Sequence, residues 1–183
     1  DGIPAGSFGD WRSGISETWR ADIGRTLTPA EEAAHRAKVE IMRREREAEE
    51  TRRRAEAAKQ AKALVKVGTR EPAGNPYLAR KGVSAVATLW EIDAGAAAAI
   101  LGYSPKSGGE VLTGRLLVAP VKVGAKLSTC ELIDDAGCKS AIYGGAKAGG
   151  YWAAQPLPQG NGDGLTLLIG EGVATVLSAK EAS

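Results

Sequence analysis

Glu171 stands between two glycines. There the apolar run Leu165, Leu167, Leu168 and Ile169 gives way to the helix-like segment VATVLSAKEA. A carboxylate at such a strand end has three uses. It can give a hard oxygen to Mg2+, act as a general base, or sit near a helix start where its charge suits the macrodipole. Gly170 and Gly172 leave room for a phosphate or a metal beside it. A second set of residues pairs positive charge with rings: Tyr77 with Arg80 and Lys81, Lys147 with Tyr151 and Trp152, and Trp11 with Arg12. Single-stranded nucleic acid asks for that combination, charge for its backbone and a ring face for its bases. The same pairs occur on ordinary surfaces, and Trp90 and Trp152 also suit core packing. Cys130 and Cys138 have no second cysteine pair and no useful histidine near them, so they read as two reduced thiols rather than a zinc site. His35 is alone on a charged helix.

The element expected to carry Glu171 is a β-to-α unit. A near-continuous apolar run belongs to a strand covered on both faces, usually a parallel one. In open α/β sheets, ligands gather at the carboxyl ends of such strands. Upstream, the motifs fall on small elements. "PYLARKG" reads as a short helix stopped by Gly82, and Asp93 can cap a helix through "AGAAAAIL" that Gly102 stops. Strands follow at 115–121, 126–134, 138–144 and 150–154, the second and third joined by the turn "DDAG". The acids of that turn are explained by turn chemistry.

Before these lie two simpler regions. Residues 3–21 read as a β-hairpin with Arg12-Ser13-Gly14 at its turn, too poor in large apolar residues for a core of its own. From Thr28 to about Lys66 there is no glycine and, after Pro29, no proline. Thr28 and Glu31 have capping-box spacing, so a helix of nearly 40 residues is expected, on the order of 55 Å long. Glu40–Arg44, Glu49–Arg53 and Glu50–Arg54 are i,i+4 pairs in the favourable order. With almost no apolar face in its middle, the helix reads as a solvated spacer, its Ala55, Ala58 and Ala61 making only shallow contact.

The divisions are thus 1–27, a hairpin ending an upstream module; 28–67, the charged helix; 76–160, an α+β subdomain; and 164–183, the start of an α/β domain. The fold class is α+β, a long charged helix joined to a small domain with antiparallel strands. Lys plus Arg number 24 and Asp plus Glu 22, so a net charge of +2 does not by itself argue for nucleic acid. No apolar stretch approaches the ~20 residues of a membrane span, and no signal-peptide pattern is present. Cytoplasm is the expected location, without membrane association. An opening without Met and a close inside a helix suggest an interior fragment of a longer protein.

"LLIGEGVATVLSA" resembles the opening motif of a TOPRIM domain, the Mg2+-binding module shared by bacterial-type primases and topoisomerases. The ordered landmarks resemble the TOPRIM-containing DNA primases of phages and plasmids, often fused to a helicase. These are "GSFGDWRSG", the charged helix, "NPYLARKGV", "LLVAPV", "LIDDAGCKS", the "GGAKAGGY" turn and "IGEGVAT". The resemblance covers almost the whole chain. It implies a TOPRIM (Rossmann-like) unit at the end, with Glu171 as the catalytic glutamate and metal ligand. It matches Gly172 and Thr175 to the turn and helix start, and Lys139, Gly144, Gly145 and Lys147 to a hairpin and glycine-rich turn where phosphates approach. Arg80 and Lys81 match an element that holds template or nucleotide phosphates.

The implied activity is synthesis of RNA primers from ribonucleotides on single-stranded DNA, with Mg2+ as cofactor and a helicase as a fused or separate partner. The chain departs from the pattern at "KSAI" (139–142), where the family often has a second basic residue and an aromatic. It also lacks the Asp-x-Asp pair that completes a TOPRIM metal site; one carboxylate cannot clamp both oxygens of a displacement. The fragment is therefore expected to be inactive by itself. Alternatives are a non-catalytic nucleic-acid-binding or scaffolding segment of a replication protein, and another TOPRIM enzyme. A topoisomerase needs a nucleophilic tyrosine, and Tyr77, Tyr103, Tyr143 and Tyr151 show no context for one.

Overall fold

The computed structural model describes residues 4–10, 12–22, 24–25, 27–158, 160 and 162–183. It divides into two units, Asp1–Glu47 and Ala48–Ser183. In the first, β1 (Ala5–Asp10) and β2 (Ile15–Arg20) form the expected antiparallel hairpin. Its turn is local chemistry: the Asp10 carboxylate accepts from the Arg12 amide at 3.0 Å and the Ser13 hydroxyl at 2.9 Å. These bonds hold the Asp10 carboxyl below its usual range. Gly14 supplies the positive φ of 70°.

Helix α1 (Pro29–Val67) begins with the capping box read from the sequence. The Glu31 amide donates to Thr28 Oγ1, and the Thr28 amide donates to Glu31 Oε2 at 2.9 Å. Arg25 grips the same carboxylate with both guanidinium arms, and together these bonds pull the Glu31 carboxyl down to about 2. The expected pairs form: Arg44 to Glu40 at 2.9 Å, Arg53 to Glu49 at 2.7 Å, and Arg54 to Glu50. All are exposed and worth little each. The end of the helix corrects the spacer reading. Ala57, Ala61 and Leu64, spaced i, i+4, i+7, are fully buried against a sheet. The stripe is narrow because two of its three members are alanines, and it covers only the last turns.

That sheet belongs to the second unit. In chain order come β3 (Thr69–Arg70), α2 (Pro76–Lys81), β4 (Trp90–Asp93), α3 (Ala94–Leu101), β5 (Lys106–Ser107) and β6 (Glu110–Val111). Then follow β7 (Arg115–Val123), β8 (Lys126–Ile133), β9 (Lys139–Ala141), β10 (Gly150–Tyr151) and α4 (Val173–Ala182). The main sheet is antiparallel in order β3-β4-β7-β8-β9, with β10 pairing the far end of β7. The caps are as read. Asn75 accepts from the Tyr77 and Leu78 amides, Asp93 from those of Gly95 and Ala96, and Gly82 and Gly102 end their helices in the left-handed region.

The apolar run in β7 exists because both faces are covered. Leu116 and Val118 join Cys130 and Leu132 under α1 and α3; Leu117 and Ala119 join Ile133 under α2 and α4. Pro120 fits mid-strand because the β4 ladder stops at Val118 and the β10 ladder starts at Lys122. Cys130, its partner across β8, turns its carbonyl toward Ile142 on the β9 side. Pro120 and Cys130 are therefore a non-hydrogen-bonded pair, and the missing N–H falls in the gap.

β4 was not expected. Its alternation Trp-Glu-Ile-Asp hides an inward Glu91, satisfied by Arg115 and by Asn75 Nδ2 at 2.7 Å. The chief correction concerns 165–169. No strand forms there among the described residues, and Leu165, Leu167, Leu168 and Ile169 are 57, 68, 48 and 87% exposed. A strand is a strand only with a ladder partner, and no described strand pairs with this segment.

Candidate functional site

Glu171 lies in the bend that enters α4 and lines an open cavity of about 690 Å³. The floor is the α2/α4 face of the sheet, Ala119, Val121 and Glu131. One wall is Tyr151 and Trp152, and the other is the unpaired segment 166–172. Trp152 is fixed by donating Nε1–H to the Thr88 carbonyl at 2.9 Å, and Tyr151 by donating its hydroxyl hydrogen to the Gly124 carbonyl at 3.3 Å.

Register decides which charges reach this place. Glu131 pairs with Ala119 on one side and Ala141 on the other, so it projects onto the α2/α4 face. Lys139 pairs with Ile133, two residues along, and shares that face. It is a diagonal neighbour of Glu131, within reach of long side chains. Its ammonium lies 3.9 Å from the Glu131 carboxylate. Lys147 comes from the turn before β10 and reaches the same carboxylate at 3.4 Å. That turn is pinned by the Gly150 amide on the Lys147 carbonyl and by Ser128 Oγ on the Ala146 carbonyl at 2.8 Å.

The α4 entrance adds positive potential. Gly172 is its N-cap and offers no side-chain acceptor, so the first amides of the helix are left uncapped by any side chain. A Cβ on Gly172 would lie 3.4 Å from Lys139 Nζ, which places an ammonium at the positive end of the helix dipole. Tyr77, buried beneath this corner, has its phenol pushed up, first by burial and then by the negative charge of Glu131, with Arg80 opposing.

Of the residues singled out from sequence, Glu171, Gly172, Lys147, Tyr151 and Trp152 line the cavity, and Lys139 stands at its α4 edge. Thr175 lies one turn into α4, with its Oγ1 3.9 Å from a Cβ placed on Gly172. Arg80 and Lys81 lie in the last turn of α2; Arg80 lies over the Tyr77 ring at 5.9 Å, against the turn at Gly137 rather than in the cavity. Gly144 packs on Arg53 of α1, and a Cβ on Gly145 would collide with Thr129, so local packing accounts for both glycines. Arg12 belongs to the hairpin turn of the first unit. Trp11 lies outside the described residues. Glu131 was missed by sequence reasoning. Its one signal was an acid at an inward position of the strand "KLSTCELID".

Cys130 is buried, its thiol pushed up to about 12 by desolvation, and Cys138 is exposed; both are free. Among the described residues no group of three or more His, Cys, Asp or Glu could hold a metal ion. Glu171 supplies one hard oxygen and Glu131 is engaged by two lysines, so these residues alone do not fit Mg2+. No described helix is long and apolar enough to cross a membrane.

No family model, no curated protein and no solved structure matches this chain. The site therefore stands on its own chemistry. It is a cavity with aromatic and apolar walls, two lysines around a carboxylate, and an uncapped helix start beside an exposed glutamate. That arrangement can receive an anion attached to a flat ring.

Proposed function

We propose that the chain is part of a TOPRIM-type DNA primase, and that its cavity handles nucleotide or template phosphates during RNA primer synthesis on single-stranded DNA. One observation carries this reading. Residues up to 33 positions apart in sequence, Lys139, Lys147, Glu171 and Gly172, gather at one corner, and they are residues the resemblance assigns to phosphate and metal. In this reading the lysines attract the polyphosphate, the start of α4 receives a phosphate oxygen, and Trp152 and Tyr151 offer surface to a base. Glu171 would supply one carboxylate to a Mg2+ site only if further acids, such as the family's Asp-x-Asp pair, completed it. Ribonucleotides and single-stranded DNA are the ligands, and a helicase, fused or separate, is the partner.

The test is a primer-synthesis assay on the full-length gene product that carries this sequence. Wild type is set beside Glu171→Ala, with labelled ribonucleotides, single-stranded DNA and Mg2+. Oligonucleotide synthesis by wild type, and a drop of at least about 100-fold in a variant that still folds and binds DNA, supports the reading; loss of a group stabilising transition-state charge has that scale. Equal synthesis by both proteins leaves Glu171 a residue of the bend before α4 and ends its catalytic assignment. Absence of synthesis by wild type rejects the primase reading.

A further inference from the structure

We propose that Glu131 is the built-in counter-ion of the cavity: it holds Lys139 and Lys147 while the site is empty and gives them up to the phosphates of a polyanionic ligand. The inference rests on the phosphate-handling reading above, and it adds a residue that neither sequence nor resemblance assigned.

Both ion pairs are long. At 3.4 and 3.9 Å, neither reaches the ~2.7–2.9 Å of a strong charge-assisted hydrogen bond. The partners also differ in freedom. Glu131 sits in the middle of β8, paired on both sides, with its side chain only 20% exposed. The lysine side chains are 39 and 52% exposed. On long flexible stems they can swing to a ligand while the carboxylate stays put.

Charge gives the motion a direction. Three ammoniums, Lys139, Lys147 and Lys180, stand against the two carboxylates of Glu131 and Glu171 around the cavity, and Lys139 also faces the uncapped positive end of α4. A phosphate satisfies both lysines and the helix start at once; Glu131 satisfies the lysines only at long range. A ligand phosphate must still approach a fixed negative charge. Glu131 therefore lowers affinity for every anion. It does so most for a small one that meets it without reaching both lysines and the helix amides. A polyphosphate chain spans them and is favoured over a single phosphate.

The experiment is calorimetric titration of this chain with inorganic tripolyphosphate and, separately, orthophosphate. It compares wild type with Glu131→Gln, Lys139→Ala and Lys147→Ala. Tripolyphosphate binding by wild type, about tenfold weaker binding by each lysine variant, and about tenfold tighter binding by Glu131→Gln are expected, the scale of one unit charge a few ångströms away at a nearly aqueous dielectric, as suits an open cavity. Glu131→Gln should also narrow the preference for tripolyphosphate over orthophosphate. Circular dichroism checks the fold. Glu131→Asp, which keeps the charge and withdraws it by one methylene, should fall between wild type and the glutamine variant, and it carries the test if Glu131→Gln misfolds. Binding that is unchanged or weaker in Glu131→Gln, with the lysine effects intact, overturns the counter-ion role and leaves the phosphate reading standing. If neither wild type nor Glu131→Gln binds tripolyphosphate, the phosphate reading fails and the counter-ion fails with it.

Discussion

On one face of the main sheet, Leu116, Val118, Cys130 and Leu132 meet the last turns of α1 and the helix α3, and all four are fully buried. On the other, α2 and α4 cover Leu117, Ala119 and Ile133, but the cover stops short of Glu131 and an open cavity begins. The same strands make both faces, so alternation along β7 and β8 supplied each with apolar residues. The difference lies in what was laid on top. A helix end with alanines at its contact points approaches closely and leaves a dry layer, dry enough to keep the Cys130 thiol protonated far above neutral pH. On the second face, α4 starts at a glycine with no capping side chain, and the segment leading to it touches no ladder. Closure stabilises the unit, and incomplete closure leaves it a place where charge meets solvent.

The sharpest way to break this comparison is Leu64→Ala in α1. If the end of the helix seals the first face, unfolding by denaturant should show a loss of roughly 2–5 kcal/mol, the transfer and cavity cost of a buried leucine. A loss under about 0.5 kcal/mol would restore the solvated-spacer reading.

Ile169→Ser tests the open face. At 87% exposure it should change stability by no more than about 0.5 kcal/mol. A cost near that of Leu64→Ala would show that the apolar run is buried after all, as its sequence pattern suggested.

The smallest effect expected is on the beginning of α1, where ion pairs and a cap replace burial. The Glu31 carboxyl is lowered from 4.5 to about 2, so the folded state favours its charged form. Its contribution is complete above pH 4.5 and is lost as pH falls toward 2. Protection of the amides near residues 28–32, measured against their intrinsic exchange rates, should fall over that acid window, and Glu31→Gln should abolish the step. Protection at Leu64 should not follow it.

Much of the fold was legible because its causes are local. Thr28 with Glu31, Asp93 and Gly102, the "DDAG" turn and the i,i+4 pairs act over a few residues, so their spacing alone foretold their partners. Of the site, Lys139, Lys147, Glu171 and Gly172 were named through the resemblance, but the carboxylate of Glu131 between the two lysines was not. The strand β4 escaped notice because Glu91 breaks an apolar pattern and is excused only by Arg115 and Asn75, distant in sequence. The burial of α1 escaped because three small contacts among charged residues look like noise until a sheet lies beneath them. The run at 165–169 was misread for the converse reason: its composition asks for two covered faces, and no described strand provides them.

The sequence by itself determined where elements begin and end, because caps, turns and periodicity are satisfied within a few residues. The tertiary structure alone decided which side of the sheet closed and which stayed open. It also put Glu131 between two lysines at the mouth of a helix, because strand register and helix placement answer to partners tens of residues away.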